Sequence, residues 1–434
     1  LTIFGGADMS VLNVSGGKVT VSAWNGGTLL TTVDASAAAA LVMPSNPATT
    51  FATTVTGSAG NDTLYGGAKG DTINGGAGND IILGAASADT LNGGAGNDVI
   101  TGGAGADIID GGAGNDTIHV DVLANFEDLA SAEQVDGGEG TDTLNFGAAV
   151  AHTTSAADLA GIKNIEKITY DTTSTGTITL DDAVFTNAGI TNLDIRDTEA
   201  TAGLTVTASA LSAANSVTVT DNGGNITSSY TGGAGDDTFK VTINHATALA
   251  AADTITGGKG TDELIVTAGN ASLTQATQSG VTAVEKITFV GTAAKTIGYT
   301  LDDATFVTTA LAAVSGVVDA SGMTGSGALT FIGTAEDDSG MTITGGKGSD
   351  TLTGGESTTF GDTISGGSGN DIIDGGAGID TLSGGEGNDQ FTVSTNAEFI
   401  GLTSAESVDG GSGIDILDFE DDAASATITA ADLG

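Results

Sequence analysis

At 434 residues the chain has room for roughly two to four domains and a sizeable core. Its 55 acidic residues against 10 basic ones leave a net charge of -45, which repels phosphate and argues against nucleic acid or an anionic lipid surface as partner. With 70 Gly, two Pro and no Cys it holds no disulfide scaffold and no Cys-based zinc site, and a cation is its natural partner.

Hydrophobic residues make up 39% of the chain and cluster with period two, as in residues 18–24, 28–33 and 287–290, which points to β-structure rather than disorder. The longest apolar run, residues 37–43, is too short to span a membrane. The chain opens at Leu1 without a Met or the pattern of a signal peptide and reads as a piece of something longer. Residues 1–56 read as the end of an upstream β domain, with Asn25-Gly26-Gly27 as a hairpin turn and Pro44 and Pro47 punctuating a loop.

Residues 57–119 divide without remainder into seven nine-residue units: GSAGNDTLY, GGAKGDTIN, GGAGNDIIL, GAASADTLN, GGAGNDVIT, GGAGADIID and GGAGNDTIH. The sixth place is always Asp (Asp62, Asp71, Asp80, Asp89, Asp98, Asp107, Asp116), and the eighth is Leu or Ile (Leu64, Ile73, Ile82, Leu91, Ile100, Ile109, Ile118). A flexible linker has no reason to keep two positions in one phase. The GGxGxD part must turn, because paired glycines tolerate positive φ, and the remaining three residues form a short strand with the eighth side chain on one face. Two units then make one coil of a flattened solenoid. Turns two units apart lie one above the other, and their carboxylates and carbonyls surround a gap lined with oxygen, which suits Ca²⁺ and not Zn²⁺.

GGAGND followed by x-Ile/Leu-x resembles the nonapeptide of the repeats-in-toxin (RTX) proteins. The resemblance implies an all-β fold built on a parallel β-roll, with several Ca²⁺ ions between stacked turns. It also implies export to a calcium-rich exterior by one-step, type I bacterial secretion. Two units depart from the pattern: GAASAD at Gly84 lacks the second and fourth glycines, and Lys69 takes the fourth place of the unit at Gly66.

Beyond residue 119 the motif returns at Gly137, Gly232, Gly257 and Gly345, is nearly continuous to Thr392, and ends at Gly410. The unit at Gly354 is stretched by three residues, to GGESTTFGDTIS. These copies add Asp142, Asp237, Asp262, Asp350, Asp362, Asp371, Asp380, Asp389 and Asp415 as candidate calcium ligands. A longer repeat overlies the short one: residues 111–146 and 384–419 share 20 of 36 residues. Ile165-Glu-Lys-Ile-Thr-Tyr170 matches Val284-Glu-Lys-Ile-Thr-Phe289, and each is followed by Leu-Asp-Asp-Ala-x-Phe, at Leu180 and Leu301. The chain thus reads as 1–56, a regular roll at 57–119, β modules at 120–231 and 232–344, a second roll at 345–392, and a third module starting at 393–434. Alternating Thr and Val near residues 205–207 and 217–220 predict strands in the non-motif parts, and short helices are predicted near residues 126–134 and at the Leu-Asp-Asp segments.

Asp181-Asp182 and Asp302-Asp303 read as turn or helix N-terminal residues before cation ligands, and Glu133 and Glu406 stay open between the two roles. His119, His152 and His245 are the only histidines; none lies in HExxH, and neither GxSxG nor GxxxxGK[ST] occurs, so no catalytic residue and no enzyme activity is expected. The first functional reading is a calcium-dependent structural protein of a bacterial cell surface, similar to RTX-type surface-layer proteins. It would self-assemble into a homo-oligomeric lattice, and a region outside this chain would hold cell-surface polysaccharide. The alternatives are an RTX adhesin or extension rod, and the non-catalytic secretion segment of an exported enzyme or toxin.

Overall fold

A unit that alternates a glycine-rich turn with an aliphatic strand residue can bury its apolar face only against copies of itself, and the chain does this by coiling. The computed structural model describes residues 2–4, 11–20, 23–25, 32–43, 52–120, 134–147, 152–170, 175–197, 203–221, 228–243, 253–268, 280–291, 296–301, 316–337, 339–393 and 407–419. The chain forms two compact units, Leu1–Val217 and Thr218–Gly434.

In the regular run of the first unit, from Thr54 to Thr117, each strand pairs in parallel with the strand 18 residues on, so one coil is two nonapeptides. Thr63 pairs with Ile81, Ile81 with Val99 and Val99 with Thr117 along one face, while Thr54, Thr72, Thr90 and Ile108 pair along the other. The strands are longer than the three residues expected from sequence. Thr72–Ala77, Ile81–Ala86, Thr90–Ala95, Val99–Ala104 and Ile108–Ala113 have six each, because the first three residues of the following turn stay in register, as Gly76 with Gly94 and Ala77 with Ala95. Without side chains at the paired glycines, nothing parts neighbouring coils there.

The eighth-place residues stack in the interior. Leu64, Ile82, Ile100 and Ile118 form one column, continued by Leu144, Ile168 and Ile195, and Ile73, Leu91 and Ile109 form the other, continued by Val135 and Ile162. All are buried. Phe146 and Tyr170 stack beside the first column, ring centroids 5.0 Å apart.

The described N-terminal residues enter the same geometry, while residues 26–31, which hold the turn and most of the second strand of the hairpin expected at Asn25-Gly26-Gly27, lie outside the described residues. Thr2–Phe4 pairs in parallel with Ala23–Asn25, and Val11–Thr20 pairs in parallel with Thr32–Val42, which in turn meets Thr54–Thr56 and Thr63. The period-two pattern needs a partner that covers one face, and a parallel neighbour buries Val33 and Leu41 as well as an antiparallel one would. The Thr/Val-rich stretches form strands Leu204–Ala210 and Ser216–Asp221. Leu180-Asp-Asp leads into the one helix among the described residues, Asp182–Ala188, capped by the Asp181 carboxylate on Ala183 N–H and Val184 N–H and ended by Gly189 at φ 72°. Residues 302–310 and 121–133 lie outside the described residues, so the second helix and most of the one predicted at 126–134 are not described; Gln134 itself opens strand Gln134–Glu139.

The second unit repeats the scheme with wider spacing. Thr218–Asp221 pairs with Thr238–Ile243, followed by Glu263–Ala268, Lys286–Gly291, Gly316–Met323, Met341–Thr344, Thr363–Ser368, Thr381–Glu386 and Ser407–Ser412, all parallel. A second face runs Ile297–Thr300, Leu329–Ile332, Thr351–Thr353, Ile372–Asp374, Gln390–Val393 and Ile416–Phe419. The three extra residues at Gly354 are absorbed in the turn: Thr342 pairs with Thr363, 21 residues on, and the regular step of 18 resumes between Thr363 and Thr381. Phe239, Leu264, Ile287, Val318, Ile343 and Ile364 form the buried column.

Ile100 lies mid-column at 0% exposure, so Ile100→Ala should lower the unfolding free energy in calcium by about 3 kcal/mol, read by chemical denaturation. The degenerate turn offers the opposite test. Ala85 (φ 90°) and Ser87 (φ 74°) hold the positive φ that glycine holds at the same places elsewhere, so Ala85→Gly and Ser87→Gly should each stabilise the chain by about 1 kcal/mol in the same assay.

Candidate metal centre

Every sixth-place Asp up to Asp389 is buried, at 2% exposure or less, while Asp415 on the last described coil is exposed. What holds these carboxylates inside is a ladder. Along a run the backbone N–H of one Asp donates to Oδ1 of the Asp one coil on: Asp62 to Asp80 at 2.7 Å, Asp71 to Asp89 at 2.6 Å, Asp80 to Asp98 at 2.7 Å, Asp89 to Asp107 at 2.8 Å and Asp98 to Asp116 at 2.7 Å. It continues from Asp116 to Asp142, Asp237 to Asp262, Asp350 to Asp371, Asp362 to Asp380, Asp371 to Asp389 and Asp389 to Asp415. Turns two units apart therefore do stack.

The second oxygen divides the turns into two classes. In the turns at Asp62, Asp71, Asp237, Asp350 and Asp362, Oδ2 accepts the N–H of the turn's own second residue, Ser58, Gly67, Gly233, Gly346 and Gly355, at 2.5 to 2.7 Å. These closed turns stand first in their runs; for four of them Oδ1 takes the N–H of a non-repeat residue, Leu41, Thr53, Leu329 or Met341. In later turns the second residue has positive φ, as at Gly76 (107°), Gly94 (109°), Gly112 (102°), Gly258 (118°) and Gly385 (103°). There Oδ2 of Asp80, Asp89, Asp98, Asp107, Asp116, Asp142, Asp262, Asp371 and Asp389 is buried without a hydrogen-bond partner.

Each unpartnered oxygen faces the first glycine of its own turn. A Cβ at Gly93 would overlap Asp98 Oδ2 and lie 2.5 Å from the Gly111 carbonyl oxygen of the next coil, and Gly111 is enclosed likewise by Asp116 Oδ2 and the Gly137 oxygen. The first glycine is thus required for space and the second for φ. The space brings together a carboxylate oxygen that has no hydrogen-bond partner and a backbone carbonyl oxygen from the next coil. Among the described residues no three of His, Asp and Glu gather at one point. An ion there would draw on one carboxylate per turn together with backbone carbonyls, the donor set of Ca²⁺ and not of Zn²⁺.

Electrostatics agree. Burial, and then neighbouring carboxylates, push the Asp80, Asp89, Asp262 and Asp371 carboxyls up to about 7, and those of Asp116 and Asp142 to about 6. Burial also raises Asp71, Asp98, Asp107, Asp350 and Asp362.

Two features escaped the sequence reading. Fifth-place Asn residues form an exposed ladder of their own: Asn79, Asn97 and Asn115 N–H donate to Asn61, Asn79 and Asn97 Oδ1 at 2.8 to 2.9 Å, and Asn388 N–H to Asn370. The signal is Asn recurring every 18 residues on one turn column while the other carries Gly70, Ala88 and Ala106. Second, Glu166 and Glu285 occupy ladder positions, accepting the N–H of Asp142 and Asp262, each at 2.8 Å. The signal was Glu two residues before a core Ile, as Asp stands elsewhere. Of the open cases, Asp181 caps the helix, and Asp182 accepts from Ser212 N–H and Asn215, so both are structural. Asp302, Asp303, Glu133, Glu406 and His245 lie outside the described residues. His119 sits within strand Thr117–Val120, paired with Thr101 on one side and Asn145 on the other.

The model of the RTX calcium-binding nonapeptide repeat (4 copies) matches residues 56–91, 83–118, 242–273, 338–358 and 356–391. No curated protein matches the chain. The matched segments contain eight of the nine unpartnered carboxylates, all but Asp142. RTX repeats bind calcium, and proteins that carry them are typically extracellular. Among the described residues no helix is long and apolar enough to cross a membrane.

Two outcomes follow from this geometry. The raised carboxyls bind protons in the folded chain that the unfolded chain, at 3.8, has already lost. In chelator their contribution is therefore fully present below pH 3.8 and lost as pH rises through about 6 to 7, so circular dichroism should find more β-structure at pH 4 than at pH 7.5. With calcium the trend should invert, protons displacing the ion as pH falls. Gly93→Ala, which fills one cradle, should reduce the number of bound calcium ions in equilibrium dialysis.

Proposed function

From a chain that carries RTX calcium-binding nonapeptide repeats, we infer a calcium-dependent structural protein of a bacterial cell surface that folds as it takes up Ca²⁺ and self-assembles into a surface-layer-like lattice. The carrying observation is the row of buried carboxylate oxygens left without donors in the open turns. Each of these groups that ionises as pH rises through neutrality puts negative charge into the interior and repels its neighbours, so the chain alone disfavours its own coil. Bound Ca²⁺ supplies the positive charge that offsets this, which makes binding energy into folding energy. In a low-calcium cytoplasm the carboxylates keep the chain open for type I export, and outside the cell they order it.

Self-assembly has two supports. The exposed Asn ladder repeats one turn surface along the regular run, and isoleucines at outward strand or turn positions, Ile81, Ile108, Ile372 and Ile379, are 43% to 52% exposed and offer apolar contact to a second copy. Anchorage to cell-surface polysaccharide would fall to a region outside this chain.

Electron microscopy and light scattering of the purified chain test the reading: sheets or filaments in millimolar calcium and monomers in chelator are expected. A chain that folds with calcium yet stays monomeric overturns the lattice and leaves the calcium-dependent folding intact. β-structure indifferent to chelator at neutral pH overturns the folding step as well.

A further inference from the structure

The coil that follows the repeat at Gly137 contains no nonapeptide motif. Its residues 162–168 read Ile-Lys-Asn-Ile-Glu-Lys-Ile, yet Ile162 and Ile168 continue the two core columns and the turn between them rebuilds the cradle of the open turns. A Cβ at Gly137 would overlap the Asn164 carbonyl oxygen and lie 2.7 Å from Asp142 Oδ2. Asn164 oxygen thus stands where a glycine oxygen stands in a regular coil. Asp142 is 0% exposed and its Oδ2 has no partner. Glu166 Oε2 holds Asp142 N–H at 2.8 Å, the position elsewhere taken by Oδ1 of the next Asp.

The second unit does the same independently. A Cβ at Gly257 would overlap the Ala283 oxygen and lie 2.5 Å from Asp262 Oδ2; Asp262 is 1% exposed with Oδ2 unpartnered, and Glu285 Oε2 accepts Asp262 N–H at 2.8 Å. Both turns are compressed. From the residue supplying the carbonyl to the carboxylate is two positions, Asn164 to Glu166 and Ala283 to Glu285, against five in the nonapeptide. Asn164 (φ 49°) and Ala283 (φ 52°) adopt the left-handed conformation that makes so short a turn possible. The extra methylene of Glu over Asp then restores the reach lost with the missing turn residues. Lys286, next to Glu285, is engaged elsewhere, 2.9 Å from Glu263.

We propose that Glu166 and Glu285 each complete a further divalent-cation site, the first with Asp142 and the Asn164 carbonyl, the second with Asp262 and the Ala283 carbonyl. Oxygen-only donors from carboxylate and backbone place the ion in the Ca²⁺ class. The Ile/Val-Glu-Lys-Ile segment is then a compressed repeat, carrying the ion ladder one coil past the last nonapeptide of its run. This rests on the RTX calcium reading of the regular turns.

Glu166→Gln and Glu285→Gln separate a ligand from a structural cap, because Gln keeps an oxygen to accept the Asp N–H and loses only the charge. On the full chain, native mass spectrometry and equilibrium dialysis with calcium should count one ion fewer for each variant and two fewer for the double variant. Asp158→Asn, which removes one charge from the exposed turn where Asp158 accepts from Ser155 and touches no cradle, should keep the wild-type count. Wild-type stoichiometry and affinity in both Gln variants overturns the proposal. Should a Gln variant fail to fold in calcium, Glu166→Asp decides: it keeps the charge and shortens the reach, so roughly tenfold weaker binding of one ion supports the site and wild-type affinity overturns it. A wild-type chain that binds no calcium at all would instead defeat the RTX reading on which the site rests.

Discussion

The hydrogen bond from each ladder Asp N–H to the carboxylate one coil on organises the molecule. It spans the gap between coils, so it exists only when turns two units apart are stacked. It also fixes each carboxylate in the interior with one oxygen used and the other pointing at a glycine. A carboxylate so placed is costly, since a buried charge needs a partner and here half of its hydrogen-bonding capacity meets none. The fold therefore contains its own demand for a cation. The core of stacked Leu and Ile residues drives coiling, and the carboxylates decide whether coiling is tolerated.

The division between closed and open turns shows how a run begins. Its first turn lies on a non-repeat strand, and its Asp satisfies Oδ2 with the N–H of its own second residue. Only when another repeat turn lies beneath does the second residue move to positive φ and leave the oxygen exposed to the cradle. Starting turns therefore satisfy both oxygens of their carboxylates with protein donors, whereas interior turns leave one without. The same logic explains why the unit at Gly84 survives the loss of two glycines. Its Asp89 and Leu91 keep ladder and core, and the neighbouring coils impose on Ala85 and Ser87 a backbone that neither residue prefers.

Alternating Asn and small residues at the fifth place give the two turn columns different surfaces. Column one carries a continuous exposed amide ladder through Asn61, Asn79, Asn97 and Asn115, and column two carries none. A coil built from two equal nonapeptides is thus two-sided.

The period of nine, the aliphatic eighth place and the invariant sixth-place Asp determined by themselves the parallel coil of 18 residues, its core and the carboxylates to watch, because each is a local pattern repeated in phase. The N-terminal parallel pairing was not legible, since period-two alternation says which face is buried and not which neighbour covers it. Nor was the split fate of the carboxylates. Asp71 and Asp80 occupy the same motif position, yet one has both oxygens bonded and the other does not. That difference lies in the coil beneath, which only the tertiary structure supplies. Glu166 and Glu285 make the same point in reverse: they lack the motif altogether, and it is stacking on Asp142 and Asp262 that gives them its place.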